Sequence, residues 1–454
     1  MKKILHYAVM GLISLAAKAQ TNPAITTWLQ NTSTTGTYYV SGNSTALSNS
    51  ILVNCQKVQY SGNYVYVTAT GVPAYPTGPF PDGNPSVAAN QNKIVKLPLN
   101  PTQNTDTATS TTMGDIGVFI NGVALFDYRD GVGWSTSSNA LCGGPGNAPC
   151  GPPNTVIYWN RDAIPAERAG FDCSKGHPAM GNYHHHQNPT AFKLDINVVS
   201  TICNLYDADG LYVINPQEHS PLIGFAFDGF PIYGAYGYAN ADGSGGITRI
   251  KSGYQLRNIT TRTAWADGTD VPDGPAVSTT YPLGYFREDY EFVSHNGQAD
   301  YLDVHNGRFC VTPEYPNGTF AYFATVDENH NSAFPYVVGP TFYGNKTGSR
   351  VTSVTETTTT YEPLNTVAVQ KEPSVTVFPN PSAELIAVQV SNGTVADYKA
   401  ELFDINGKLV QTATIKKGQT IAYFDVQTVY EGTYLVKITS GKYTSTKKVV
   451  IKRD

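Results

Sequence analysis

The chain has 454 residues, a formal net charge of −5, and 14% charged against 41% apolar residues. That length exceeds what one apolar core holds, so two or three folding units are expected, and with no block of Lys or Arg to track phosphates a nucleic-acid partner is excluded. Tyr (30), Gly (42) and Pro (29) are plentiful while Met (4) is scarce, a balance that favours strands and turns, and the fold is read as mainly β.

At the amino end, Lys2-Lys3, an apolar stretch from Ile4 to Ala17 and the small-x-small triplet Ala17-Lys18-Ala19 have the layout of a signal peptide over residues 1–19. Cleavage leaves Gln20 first. No later apolar run approaches the roughly 20 residues that cross a bilayer as a helix, so the mature chain is expected to be exported without a transmembrane segment. Export permits disulfides. All six cysteines lie between Cys55 and Cys310. Cys142 and Cys150 bracket a Gly-Pro loop and are the easiest pair to close; Cys173 with Cys203 would staple the flanks of a histidine cluster; Cys55 with Cys310 is the remainder.

Tyr64-Val65-Tyr66-Val67-Thr68 has the aromatic and β-branched content of a half-buried strand. Further on, Gly117-Val118-Phe119-Ile120-Asn121-Gly122-Val123-Ala124-Leu125-Phe126 is echoed by Gly224-Phe225-Ala226-Phe227-Asp228-Gly229-Phe230-Pro231-Ile232-Tyr233. Both read as β-hairpins, with Asn-Gly and Asp-Gly as type I′ turns. Asp228 is thereby a turn residue, with a place beside a histidine site as the alternative.

Between the two echoes, His177, His184, His185 and His186 fall within ten residues. If Tyr183 to Gln187 is extended, His184 and His186 project to one face and Tyr183 and His185 to the other. Residues two apart on a strand are about 6.6 Å apart, and inward-reaching imidazoles can then share one ion at Zn–N distances of about 2.0–2.1 Å. His177 could close such a site across a turn. The fourth position is open to His305, with Asp303 on the same strand face, or to water. The donors suit Zn, Cu, Fe or Ni, with zinc or copper as the divalent ions in view. The alternative is a hydrogen-bonded polar strand that holds no ion. His295 and His305 precede Asn-Gly turns, and His219 and His330 are read as solvated; Glu218 and Glu314 lack a partner for acid–base work.

Cys173-Ser174-Lys175-Gly176-His177, Gly181-Asn182-Tyr183-His184-His185-His186, the stretch from Ser220 to Gly234, Asn306-Gly307-Arg308-Phe309 and the stretch from Thr312 to Phe323 together resemble the YHYH domain family across most of residues 114–343. The departure is His185, where the family's name has Tyr. The resemblance implies one domain, taken as β-sandwich-like over residues 20–345, and carries no activity with it.

A linker is expected over residues 346–374, where Thr355-Glu356-Thr357-Thr358-Thr359-Thr360 lacks apolar periodicity. Short alternating strands such as Leu385 to Val390 and Tyr434 to Ile438 then suggest a small Ig-like β-sandwich over residues 375–454. Val377-Phe378-Pro379-Asn380-Pro381-Ser382, Leu402-Phe403-Asp404-Ile405-Asn406-Gly407-Lys408 and Gly432-Thr433-Tyr434-Leu435-Val436-Lys437-Ile438 resemble the C-terminal sorting domain of the bacterial type IX secretion system. That implies the type IX machinery as a partner, passage across an outer membrane, and a secreted product, released or retained at the cell surface.

The leading functional reading is metal binding through His177, His184 and His186, with His305 as a further ligand. A metal-dependent hydrolase or oxidase, with an open coordination position, is the second reading. A metal-free adhesion or glycan-binding module is the third, and would need exposed tyrosines such as Tyr233, Tyr236 and Tyr238 to form one patch. No Gly-x-Ser-x-Gly elbow or Walker loop is present, which disfavours a serine hydrolase of that design and a P-loop enzyme.

Overall fold

The computed structural model describes residues 21–43, 45–82, 86–144, 146–190, 210–363, 375–390, 397–416, 419–441 and 443–453; the signal-peptide reading and Cys203 fall outside them. The chain is mainly β and divides into two compact units, one ending at Glu362 and the other beginning at Pro363.

The large unit is built on an eight-stranded and a five-stranded sheet. The middle of the eight-stranded sheet is the pair of echoed hairpins. The first joins Asp115–Phe119 to Ala124–Phe126, the second Leu222–Ala226 to Pro231–Tyr233, and the two lie back to back through an antiparallel pairing of Val118 with Phe225. Their turns differ from the type I′ expectation. Gly122 and Gly229 have φ of 76° and 90°, whereas Asn121 and Asp228 are absent from the residues at positive φ. The amide N–H of Gly122 donates to Phe119 O (2.8 Å) and that of Phe119 to Val123 O (2.9 Å). The loop therefore has three residues, a type I turn closed by a left-handed glycine, which twists to match the strands as well as a two-residue primed turn does.

Each arm of the sheet then repeats the same steps outward. Asn182–His185 pairs parallel to the first hairpin, with His185 opposite Leu125, and Thr319–Phe323 pairs parallel to the second, with Tyr322 opposite Ile232. The edge strands His177–Ala179 and Gly307–Cys310 add antiparallel to these, with His177 opposite His184 and Arg308 opposite Ala321. Since Leu125 and Ile232 hold the same place in their hairpins, the register equates His185 with Tyr322, His184 with Ala321, His186 with Phe323 and His177 with Arg308.

The five-stranded sheet runs in the order Ser349–Val351, Lys93–Pro98, Tyr64–Ala69, Cys55–Tyr60, Thr359–Thr360. Its Val58, Val65, Val67 and Val95 share one core with Val118, Phe225, Ile232 and Tyr322 of the larger sheet. Two short edge strands of this sheet thus come from the stretch expected to be linker. Glu356 accepts a hydrogen bond from Tyr66, and Gln59 donates to Thr358 at 2.9 Å. Polar side chains are what an edge strand with a solvated face carries.

Tyr233 is fully buried, and Tyr236 and Tyr238 are partly buried. Tyr233 belongs to the eight-stranded sheet, Tyr236 and Tyr238 to a two-stranded sheet with Ile247–Arg249, and none of the three is an exposed side chain. In the small unit, a three-stranded sheet (Val375–Phe378, Leu385–Val390, Ile421–Asp425) and a four-stranded sheet (Tyr398–Asp404, Leu409–Ile415, Gly432–Ser440, Tyr443–Ile451) enclose one core of residues including Ile386, Leu402, Phe424 and Val436.

Cys142 and Cys150 are bonded, and Cys173 is disulfide-bonded. The remainder pairing fails: Cys55 and Cys310 are free and buried, because Cys55 opens a strand of the five-stranded sheet while Cys310 ends the far edge strand of the eight-stranded one. Burial pushes both thiols up, so they stay protonated and unreactive. Iodoacetamide should therefore label neither in the native chain. Denaturation without reductant should expose these two and leave Cys142, Cys150 and Cys173 unlabelled in a peptide mass map; a Cys55–Cys310 crosslinked peptide would contradict the fold.

Candidate metal centre

The outermost hairpin of the first arm turns on Met180-Gly181, both at positive φ (48° and 83°), as a two-residue type I′ loop requires. Its register sets His177 directly across from His184, with ring centroids 4.6 Å apart. His186 continues the alternation onto the same face, 4.8 Å from His184 and 5.6 Å from His177 between centroids.

Tyr183 and His185 turn to the opposite face, into the core. There Tyr183 donates to the Asp172 carboxylate (3.0 and 2.9 Å), which also accepts backbone N–H groups from Gly78, Ser174 and Gly176. Burial nonetheless pushes the Asp172 carboxyl up to about 7. His185 Nδ1 donates to Lys175 O (3.1 Å), which leaves Nε2 to accept the Tyr75 hydroxyl at 2.7 Å. Burial drives this imidazole down to about 3, so it stays neutral. His185 is a structural residue.

The other three rings are arranged differently. His184 Nδ1 donates to Asn182 O at 2.8 Å and His186 Nδ1 donates to Asp127 O at 2.6 Å. A carbonyl can only accept, so in each neutral ring Nε2 bears a lone pair. These two lone pairs face each other at 3.1 Å, and His177 Nε2 stands 3.5 Å from His186 Nε2. The three ligand nitrogens all lie within 4.8 Å of one another.

Glu167 completes the cluster. It ends a short helix, Ala163–Glu167, whose first turn is capped by Asp162 accepting from Ile164 N at 2.8 Å and tied by Ala163 N donating to Tyr128 O at 2.7 Å. Its Oε2 stands 3.2 Å from His177 Nε2 and 3.3 Å from His186 Nε2. Donor atoms bound at 2.0–2.1 Å to one tetrahedral ion stand about 3.3 Å apart, a spacing close to that which His186 Nε2 keeps with His177, His184 and Glu167, whereas Glu167 comes within 4.0 Å of His177 and His186 but not of His184.

The electrostatics are those of acceptors crowded together. Burial works against the charge of Glu167, but His177 and His186 outweigh it and hold the carboxyl well below the usual carboxylate range. Burial would also lower His186, yet Glu167 raises it, while burial and the neighbouring rings drive His184 well below its ordinary value. A hydrogen on His177 Nε2 or His186 Nε2, or a cation, sits among these atoms. Phe126 stacks on His184 at 3.9 Å and Phe171 meets His177 edge-on at 4.9 Å, fixing the ring planes. His184 and His186 are buried, whereas the side chains of His177 and Glu167 are 12% and 25% exposed, so the cluster opens to solvent on their side.

Among the histidines singled out in the sequence, His305 does not join this cluster. It precedes Gly307–Cys310 at the opposite end of the eight-stranded sheet. There its Nδ1 donates to Thr341 O (3.1 Å) beside Thr341 Oγ1 (2.9 Å), and Asp303 accepts the backbone N–H of His305 and Gly307. His219 is not a solvated side chain either: it packs on Tyr233 and Tyr238 with centroids 5.1 and 4.9 Å away. Asp228 is a turn residue as read, and its other carboxylate oxygen accepts Tyr322 Oη (2.6 Å) and Gly344 N (2.8 Å). Glu167 is the residue sequence reading missed. The signal available was Asp162 with Pro165 three residues on, a helix start whose first turns end at Glu167, ten residues before His177.

Comparison with known proteins gives two family matches. The family described as YHYH protein matches residues 94–339, more than half of the chain, and that described as secretion system C-terminal sorting domain matches residues 376–452. No curated protein matches. The second match marks a type IX sorting tail, and the chain is a secreted protein handled by that secretion system, a class often attached to the cell surface.

Gly176 lets the segment before His177 pass over the core side of the hairpin. A Cβ there would meet Tyr183 Oη at 2.3 Å, Tyr183 Cζ at 2.4 Å and His185 Cε1 at 2.9 Å. Overpacking of this kind costs roughly 1–3 kcal/mol. Gly176→Ala should lower the urea midpoint of the large unit correspondingly; an unchanged midpoint would show that Tyr183 is not held as described.

Proposed function

Because the chain belongs to the YHYH protein family, and because its histidine hairpin brings three imidazoles together beside a carboxylate, we propose that the large unit is a secreted metal-binding module. It takes one divalent transition ion, zinc or copper, on His177, His184, His186 and Glu167. The observation that carries the reading is the convergence of ligand nitrogens from His177, His184 and His186, all within 4.8 Å of one another, with a Glu167 carboxylate oxygen 3.2 and 3.3 Å from two of them. A donor set of three nitrogens and one oxygen suits an ion that prefers imidazole.

Support for the rings comes from further out. The carbonyls of Asn182 and Asp127 fix which nitrogen of His184 and His186 is presented, the role that outer partners of metal ligands commonly fill. Asp127 is itself held by Arg129, Nε to Oδ1 at 2.6 Å, which fixes the loop whose carbonyl His186 uses. Glu167 stands where a catalytic site would keep its open position for water or substrate, and this favours binding of the ion over turnover by it. The sorting tail delivers the module; its residues take no part in the donor set.

The test is metal content. After dialysis against zinc or copper and removal of excess, the purified chain should retain one equivalent, and the doubly substituted His184→Ala, His186→Ala chain almost none. Glu167→Gln should keep the ion with at least about tenfold weaker affinity. Metal at a hundredfold excess over Kd should stabilise the wild type by about 2.7 kcal/mol and the double variant not at all. Equal, negligible metal in wild type and double variant would end the proposal.

A further inference from the structure

The far edge of the eight-stranded sheet carries an aromatic side chain that the core does not use. Along Gly307–Cys310 the neighbours of Phe309 are buried, while Phe309 itself is 63% exposed. The ring is nonetheless held in place. Gly318 turns beneath it at φ 86°, and a Cβ there would meet Phe309 Cε1 at 2.8 Å and Cζ at 3.2 Å. The phenyl thus rests against the turn backbone while most of it stays open to solvent.

Phe309 lines a cavity of about 640 Å³ on the second arm of the sheet, within the range of roughly 300–1,000 Å³ that small-ligand sites occupy. The cavity shares no residue with the histidine cluster. Tyr343 lines it as well, its ring fixed by stacking on the buried Phe320 at 3.6 Å and 2°. The polar groups of the lining are ones that solvent reaches: the side-chain amides of Asn100 and Gln103, both exposed, and the hydroxyls of the half-buried Tyr315 and Tyr343.

The lining narrows the chemistry of what can enter. None of the described residues that form it is charged, so an ion would give up water and gain no counter-charge. A hydrocarbon would strip water from the amides and hydroxyls and return no hydrogen bonds to them. An amide side chain both donates and accepts, and a hydroxyl does too, which leaves no fixed order of donors and acceptors for a peptide backbone to match. Ligand hydroxyls also act either way and satisfy such groups by rotating, while the electron-rich faces of the aromatic rings take the C–H groups of the same molecule. Apolar C–H faces edged with neutral hydroxyls are the chemistry of a sugar ring.

We propose that this cavity binds a neutral saccharide of a few units, with one sugar face against Phe309 and hydroxyls bonded to Asn100, Gln103, Tyr315 and Tyr343. Calorimetric titration of the mature chain with cellotetraose, maltotetraose and chitotetraose, set against tetragalacturonate, tetraglucosamine and a tetraproline peptide, tests it. At least one neutral tetrasaccharide should bind with millimolar or better affinity, and the two charged tetramers at least about tenfold more weakly. Phe309→Ala should weaken binding of the neutral sugar about tenfold and Gln103→Ala about fivefold, while the His184→Ala, His186→Ala chain binds it as the wild type does. Should Phe309→Ala alter the melting temperature of the chain, Gln103→Ala carries the comparison. Binding of none of the neutral tetrasaccharides, equal binding of a charged tetramer or of tetraproline, or binding indifferent to both substitutions would overturn the proposal.

Discussion

The large unit depends on how closely two backbones approach at its centre. Where the echoed hairpins meet, a Cβ on Gly117 would fall 2.7 Å from Phe225 O and one on Gly224 2.6 Å from Val118 O. Each glycine thus clears the space that the other hairpin's main chain occupies, and the arrangement is reciprocal because the pairing is antiparallel about Val118 and Phe225. Once these strands are joined, every further strand has only an outer edge to add to, and both arms grow by a parallel strand and then an antiparallel one.

The histidine cluster follows from that growth. At the end of the first arm the hairpin has a hydrogen-bonded neighbour on one side only, and its histidine face is met by the carboxylate at the end of a short helix. A sheet face gives fixed spacing between side chains; a helix end gives a carboxylate that can be aimed at them. The rings cannot rotate away, since backbone carbonyls and the Phe126 and Phe171 rings hold them. The same carbonyls force acceptor against acceptor, and this crowding, more than the number of histidines, distinguishes the cluster from a polar strand such as the one His185 belongs to on its other face.

Much of this was legible in the residues, and what was not has a common cause. Strand alternation separates His184 and His186 from Tyr183 and His185 whatever the rest of the fold does, and Met180-Gly181 is short enough that His177 must return opposite. Asn121-Gly122 and Asp228-Gly229 announce hairpins, though an extra loop residue changes the turn type. Glu167 and His305 depend instead on which elements become neighbours, a matter of sheet order that periodicity does not encode: one carboxylate ten residues away arrives, and one histidine flanked by suggestive residues ends at the opposite edge. The Thr-rich stretch misleads for a related reason, since a polar edge strand looks like a linker until its partner is known.

The likeness of the two arms separates architecture from coordination. The second arm attains the same registers with Arg308, Ala321 and Phe323 at the places of His177, His184 and His186, three side chains that offer no lone pair to a metal. The frame therefore stands without asking anything of those positions, and the histidines are tenants of a scaffold that its own duplicate half erects from other material.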